Sequence, residues 1–202
     1  MRKKSIKDKT LKILQKNIVY FVFIVIFMFF AIVLRDRFFS YDNLMNIARQ
    51  TSMLAIMAVG MTFALSSGEI DLSIDSVIAL TAMVTAVVLR DHGIVLGALA
   101  GIATGLAVGA FNGIIVAKIK VPSFLVTLTT LGIVAALARW ITNLKTVPIS
   151  NETYNFIFGS GDIGPIPVLF LWTILILIIG FIALKKTPFG QKILATGGNE
   201  LA

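Results

Sequence analysis

The sequence predicts an all-α fold, a polytopic inner-membrane helical bundle of about six transmembrane helices with both chain ends cytoplasmic, and three observations predict it. The composition is 57% hydrophobic and only 14% charged, far from the quarter or so of charged residues in soluble domains. Its apolar residues gather in runs approaching the ~20 residues a helix needs to cross a hydrocarbon core. The basic residues sit at the ends of those runs, where they set topology. A net charge of +8 might suggest nucleic acid, but this placement assigns it to the membrane, and no nucleic-acid partner is expected. The chain has no Cys and one His, His92, so it offers neither a disulfide nor a thiolate or paired-histidine metal site.

A basic cytoplasmic N-terminus, residues 1–17, carries Arg2, Lys3, Lys4, Lys7, Lys9, Lys12 and Lys16 against Asp8. The first span, 18–34, is longer than a signal-peptide core and ends in Arg35-Asp36-Arg37-Phe38-Phe39 instead of the small residues of a cleavage site, so it reads as an uncleaved crossing. The second span covers 44–67 and runs into three acids, Glu69, Asp71 and Asp75. Each carboxylate would cost about 2.5–3.5 kcal/mol at the bilayer centre. The chain must therefore turn here or expose this segment to water or to protein, and Ser66, Ser67 and Gly68 supply backbone freedom and local hydrogen bonding for a break. A third span, 74–89, follows and closes at Arg90-Asp91-His92-Gly93.

In the fourth span, 94–117, Gly97, Gly101, Gly105, Gly109 and Gly113 recur every four residues. Each costs about 1 kcal/mol against Ala in a water-exposed helix, yet in lipid such a stripe lets a second backbone approach closely. This span reads as a central packing helix. Asn112 lies near its end, either as an interhelical hydrogen-bonding group or as part of a polar pathway. Pro122 turns the chain into a fifth span, 123–142. A loop over residues 143–165 rich in Pro, Gly and Asn leads to the sixth span, 166–184, and a tail over 185–202. With the N-terminus inside, twelve of the 18 Lys and Arg lie on the cytoplasmic side, and Arg35, Arg37, Arg49, Arg90, Arg139 and Lys145 lie opposite. That bias favours both ends inside, with the acidic break in the cytoplasmic half.

Five short motifs follow one another along the chain: Gly60-Met61-Thr62-Phe63, Ile70-Asp71-Leu72-Ser73, Phe111-Asn112-Gly113, Lys120 to Phe124 with Val126-Thr127-Leu128, and Thr187-Pro188-Phe189-Gly190 leading to Gly197-Gly198-Asn199-Glu200. In this order they resemble the membrane permease subunit of ribose-type ABC importers, which belong with the branched-chain amino acid permeases. The resemblance covers most of the chain from about residue 44 onward. It implies a subunit that pairs with a second permease copy and takes a monosaccharide or similar polar solute from an extracytoplasmic solute-binding protein. Separate ATP-binding subunits would drive it, so that no cofactor is bound by this chain and no catalytic residue is expected. Asp71, Ser73 and Asn112 are the candidate pathway residues, and Gly197, Gly198, Asn199 and Glu200 the candidate ATPase contact, opening a coupling helix that Asn199 would cap. Glu69 and Asp75 stand where the family usually has glycine. Family members continue beyond the coupling helix, so the resemblance implies the N-terminal part of a permease, incomplete relative to the family fold.

Two other readings stand beside this one. Asp71 and Asp75, at i and i+4, would share a helix face and hold Mg²⁺ in a metal-dependent membrane enzyme. Alternatively the chain is a non-transporting structural membrane remnant. Asp71 itself reads equally as a structural cap for the third span.

Overall fold

The computed structural model describes residues 17–198, so the seven basic residues from Arg2 to Lys16, together with Asn199 and Glu200, lie outside the described part. The chain divides into two compact units, 1–48 and 49–202. In the first, helix α1 (Ile18–Leu34) has no buried residue, and Val19 is 74% exposed. A wholly apolar, wholly exposed helix is the expected form of one covered by lipid. It ends in a 3₁₀ turn, Arg35–Arg37, where Phe27 meets Phe38 edge-on with ring centroids 5.2 Å apart. The Asn43 side-chain amide donates to the Phe38 carbonyl at 2.7 Å. Helix α2 (Tyr41–Ser66) begins here and continues into the second unit.

The second unit holds α3 (Ile74–His92), α4 (Ile94–Ile114) extended by a π turn (Ile115–Ile119), and α5 (Ser123–Ile141). Beyond these come a short α6 (Glu152–Phe158), a two-stranded antiparallel hairpin of β1 (Asp162–Ile163) and β2 (Ile166–Pro167), α7 (Val168–Lys186) and α8 (Pro188–Gly198). Among the described residues five segments are long and apolar enough to cross a membrane: Ile18–Arg37, Tyr41–Ser66, Ile94–Ile119, Ser123–Ile141 and Val168–Lys186. By comparison, α3 has similar length but carries Asp75 at one end and Arg90 and Asp91 at the other.

Gly93, at φ +85°, folds α3 and α4 into an antiparallel pair, and the glycine stripe explains how closely they pack. A Cβ on Gly97 would sit 2.7 Å from the Leu89 Cβ, one on Gly101 would overlap the Thr85 hydroxyl, and one on Gly105 would touch Thr81. Those three glycines thus face residues 89, 85 and 81 of α3. Gly109 and Gly113 have no neighbour within 4 Å among the described residues, so only the first three serve the packing expected of all five here. Gly97→Ala is expected to lower stability by about 1–2 kcal/mol, overpacking outweighing the gain in helix propensity. Gly109→Ala, in open space, should raise it by up to about 1 kcal/mol. Chemical unfolding in detergent, followed by circular dichroism, measures both signs.

Leu80, Val134 and Ala138 form a buried cluster, flanked by Val77, Met83, Val84 and Val108, so α3, α4 and α5 share one core. Helix α7 packs on α2 by the same small-residue device: the Thr173 hydroxyl donates to the Ser52 carbonyl at 3.2 Å, and a Cβ on Gly180 would lie 2.6 Å from Val59. The 143–165 segment, read from sequence as a loop, contains α6, capped by the Asn151 side chain on the Tyr154 N–H at 2.9 Å. Trp172 donates to the Ile157 carbonyl at 2.8 Å and stacks on Phe158. Arg49 clamps the hairpin through both carboxylate oxygens of Asp162, at 2.7 and 2.6 Å.

Candidate functional site

The acidic break is an ordered turn held by a set of specific hydrogen bonds. Helix α2 ends in a Schellman motif: the Glu69 N–H bonds the Ala64 carbonyl at 3.0 Å and the Gly68 N–H bonds the Leu65 carbonyl at 3.1 Å. Gly68 sits between them at φ +83°, the left-handed conformation glycine adopts without a side-chain clash. Past the motif the backbone leaves helical geometry, and its polar groups need partners from elsewhere. Helix α5 provides them. The Ile70 N–H donates to the Ser123 hydroxyl at 3.1 Å, and the Thr127 hydroxyl shares its proton between the Ile70 carbonyl at 3.1 Å and the Ser123 carbonyl of its own helix at 2.8 Å.

Asp71 lies next to this anchor. Its Oδ1 accepts the Ser73 N–H at 2.7 Å and the Ser73 hydroxyl at 2.6 Å, distances typical of bonds to a carboxylate. With its proton committed to Asp71, the Ser73 oxygen accepts from the Asn112 amide at 3.1 Å. Asn112 Oδ1 in turn accepts the Thr130 hydroxyl at 2.7 Å. The result is a one-way chain of donors, Thr130 to Asn112 to Ser73 to Asp71, tying α5 and α4 to the break. Ser73 is 1% exposed, Asn112 6% and Thr130 5%, so unmade bonds here would be costly. The Ser76 hydroxyl closes the first turn of α3 on the Ser73 carbonyl at 2.8 Å.

The structure brings the three candidate pathway residues, Asp71, Ser73 and Asn112, into direct contact. It changes the reading of Asp71 as a helix cap: Asp71 closes a two-residue turn onto Ser73, and α3 begins only at Ile74 with Ser73 in the capping position. Since Asp71 precedes the helix while Asp75 is exposed in its first turn, the two do not share a helix face, and the geometry posited for a Mg²⁺ pair does not form. Asn112 makes the interhelical hydrogen bonds that one of its two readings expected. Ser123, Thr127 and Thr130 were missed. Their spacing, i, i+4 and i+7 on a mostly apolar helix, is the signal that identifies a polar stripe facing the break.

The candidate ATPase contact is described only in part. Gly197 and Gly198 form the end of α8, which runs ahead of the position where the sequence places the start of a coupling helix, whereas Asn199 and Glu200 fall outside the described residues. At the start of α8, Phe189 stacks on Phe63 with centroids 6.3 Å apart. The five sequence motifs therefore meet in the fold: Gly60 to Phe63 with Thr187 to Gly190, and the other three at the polar chain.

Fold and site together define a multi-pass helical membrane protein whose second and third long helices are separated by a polar break anchored at the buried Ser73. The model of the family described as "Branched-chain amino acid transport system / permease component" matches residues 43–202, and the chain belongs to that family. The ribose import permease protein RbsC of Haemophilus influenzae is 36% identical over 186 residues, covering 90% of this chain and 58% of the relative. The L-arabinose transport system permease protein AraH of Escherichia coli K12 is 38% identical over 182 residues, 90% of this chain and 55% of the relative. RbsC of E. coli K12 is 38% identical over 179 residues, 84% of this chain and 54% of the relative. The chain thus spans somewhat more than half the length of these relatives. No solved structure matches significantly.

Proposed function

We propose that the chain is a membrane-spanning permease subunit of an ATP-driven importer, forming part of the translocation pathway for a sugar or similar small polar solute. The observation that carries this is the relatedness, over about 90% of its length, to permeases named for ribose and L-arabinose. A second permease copy, separate ATP-binding subunits and an extracytoplasmic solute-binding protein complete the transporter. Both ends of the 1–202 segment lie on the cytoplasmic face, residues 18–184 form the transmembrane domain, and 185–202 face the ATPase. Asp71, Ser73 and Asn112 border the pathway at the break. Gly197 to Glu200 lie at the ATPase side, and the polar chain holds the break's geometry while solute passes.

The test is uptake of radiolabelled ribose and L-arabinose by cells expressing the full-length protein with its ATPase and binding protein. ATP-dependent accumulation of either sugar, lost when the permease alone is deleted, is the expected result. If no sugar, and no other small polar solute carried by that binding protein, accumulates above the deletion background, the proposal fails.

A further inference from the structure

We infer that Gly197 is a positioning residue that couples the cytoplasmic end of α8 to the helix break, a role that rests on the transport reading above. The C-terminal turn of α8 lies directly on the break: a Cβ on Gly197 would overlap the Ser66 carbonyl and stand 3.0 Å from the Gly68 N, while one on Gly68 would meet the Gly197 Cα at 3.6 Å. These are backbone atoms, which cannot swing aside as the end of a flexible side chain does. Gly68 is also the left-handed residue that terminates α2, so the seam bears on the hinge-like point of the turn. Phe189, eight residues before Gly197 and near the same face of α8, stacks on Phe63 of α2. Helix α8 is therefore held on the end of α2 at both of its own ends.

Beyond the seam, the break continues within a few residues into Ile70, held by Ser123 and Thr127, and Asp71, held by Ser73 and, through it, Asn112. A displacement of α8 consequently reaches the polar chain through packed backbone. Close glycine-to-backbone contact suits this role, because a rigid, unspaced seam transmits small shifts that a flexible side chain would absorb. Gly197 thus turns its Cα toward the break.

Two experiments test the role in the assembled transporter. In Gly197→Ala the solute moved per ATP hydrolysed is expected to fall roughly tenfold. Uptake and hydrolysis falling together, at an unchanged ratio, would mean a merely structural glycine and overturn the role. Because the chain has no Cys, the pair Phe63→Cys and Phe189→Cys can be bridged specifically with a short, reducible thiol cross-linker. Bridging is expected to stop uptake and reduction to restore it, which separates coupling from folding. A pair that fails to bridge, or a bridged protein that still imports at the parental rate, overturns the seam. If the parent complex imports nothing while the pair bridges normally, the transport reading is refuted and the coupling role falls with it.

Discussion

Asp71→Leu is expected to cut solute uptake at least about tenfold at equal membrane abundance, the largest single-residue effect in the break. The leucine removes the only oxygen that accepts both the N–H and the hydroxyl of Ser73, a residue 1% exposed. Each buried donor left without an acceptor costs about 1–3 kcal/mol, and neither can reach water without opening the turn between Gly68 and Ile74. Asp71→Asn separates position from charge. Its side-chain carbonyl can occupy the Oδ1 site and keep both bonds, so uptake within about threefold of the parent is expected if geometry is what matters. Transport assays normalised to membrane abundance decide the matter, and undiminished uptake in Asp71→Leu would remove this carboxylate from the mechanism.

Asn112→Leu comes second. Leucine keeps the branching of asparagine but breaks the link between Ser73 and Thr130, leaving the Thr130 hydroxyl, 5% exposed, without its 2.7 Å acceptor. The loss of stability should be about 2 kcal/mol, near the upper end of what interhelical hydrogen bonds contribute in membranes. It is moderated because Ser73 still donates to Asp71. Thr130→Val alone should cost about 1 kcal/mol, and the double variant little more than Asn112→Leu, since one bond cannot be lost twice. Unfolding midpoints of the four proteins of this cycle in one detergent measure the coupling. Strict additivity would mean that the hydroxyl and the amide do not act as a unit.

The all-helical membrane fold is legible in composition and in the length of the apolar runs, because in hydrocarbon a chain of this kind can satisfy its backbone only as helix. The break is legible too: three acids after Ser66-Ser67-Gly68 have no other accommodation, and Gly68 takes the left-handed position its place suggests. What could not be read is which helix supplies the partners. Ser123, Thr127 and Thr130 are small hydroxyl residues on an apolar helix, and such residues commonly turn their bond back on their own helix, as Thr129 does to Leu125. Only the fold brings residue 127 to residue 70. The glycine stripe was half legible for a related reason: a period of four fixes a face, but the length of that face that meets α3 is set by where the α3–α4 turn lies. The course of α8 ahead of Gly197 is not legible, because two consecutive glycines argue against helix, and its contacts with Phe63 and Ser66 come from residues more than a hundred positions away.

The tight pairing of α3 with α4 bears on how the ribosome's product enters the bilayer. With charge at both ends, α3 is a poor substrate for insertion as a solitary segment, whereas α4 partitions into lipid readily. Joined through the single residue Gly93 and zipped along Gly97, Gly101 and Gly105, the two can leave the translocon as a single hairpin, the greasier arm carrying the more polar one with it.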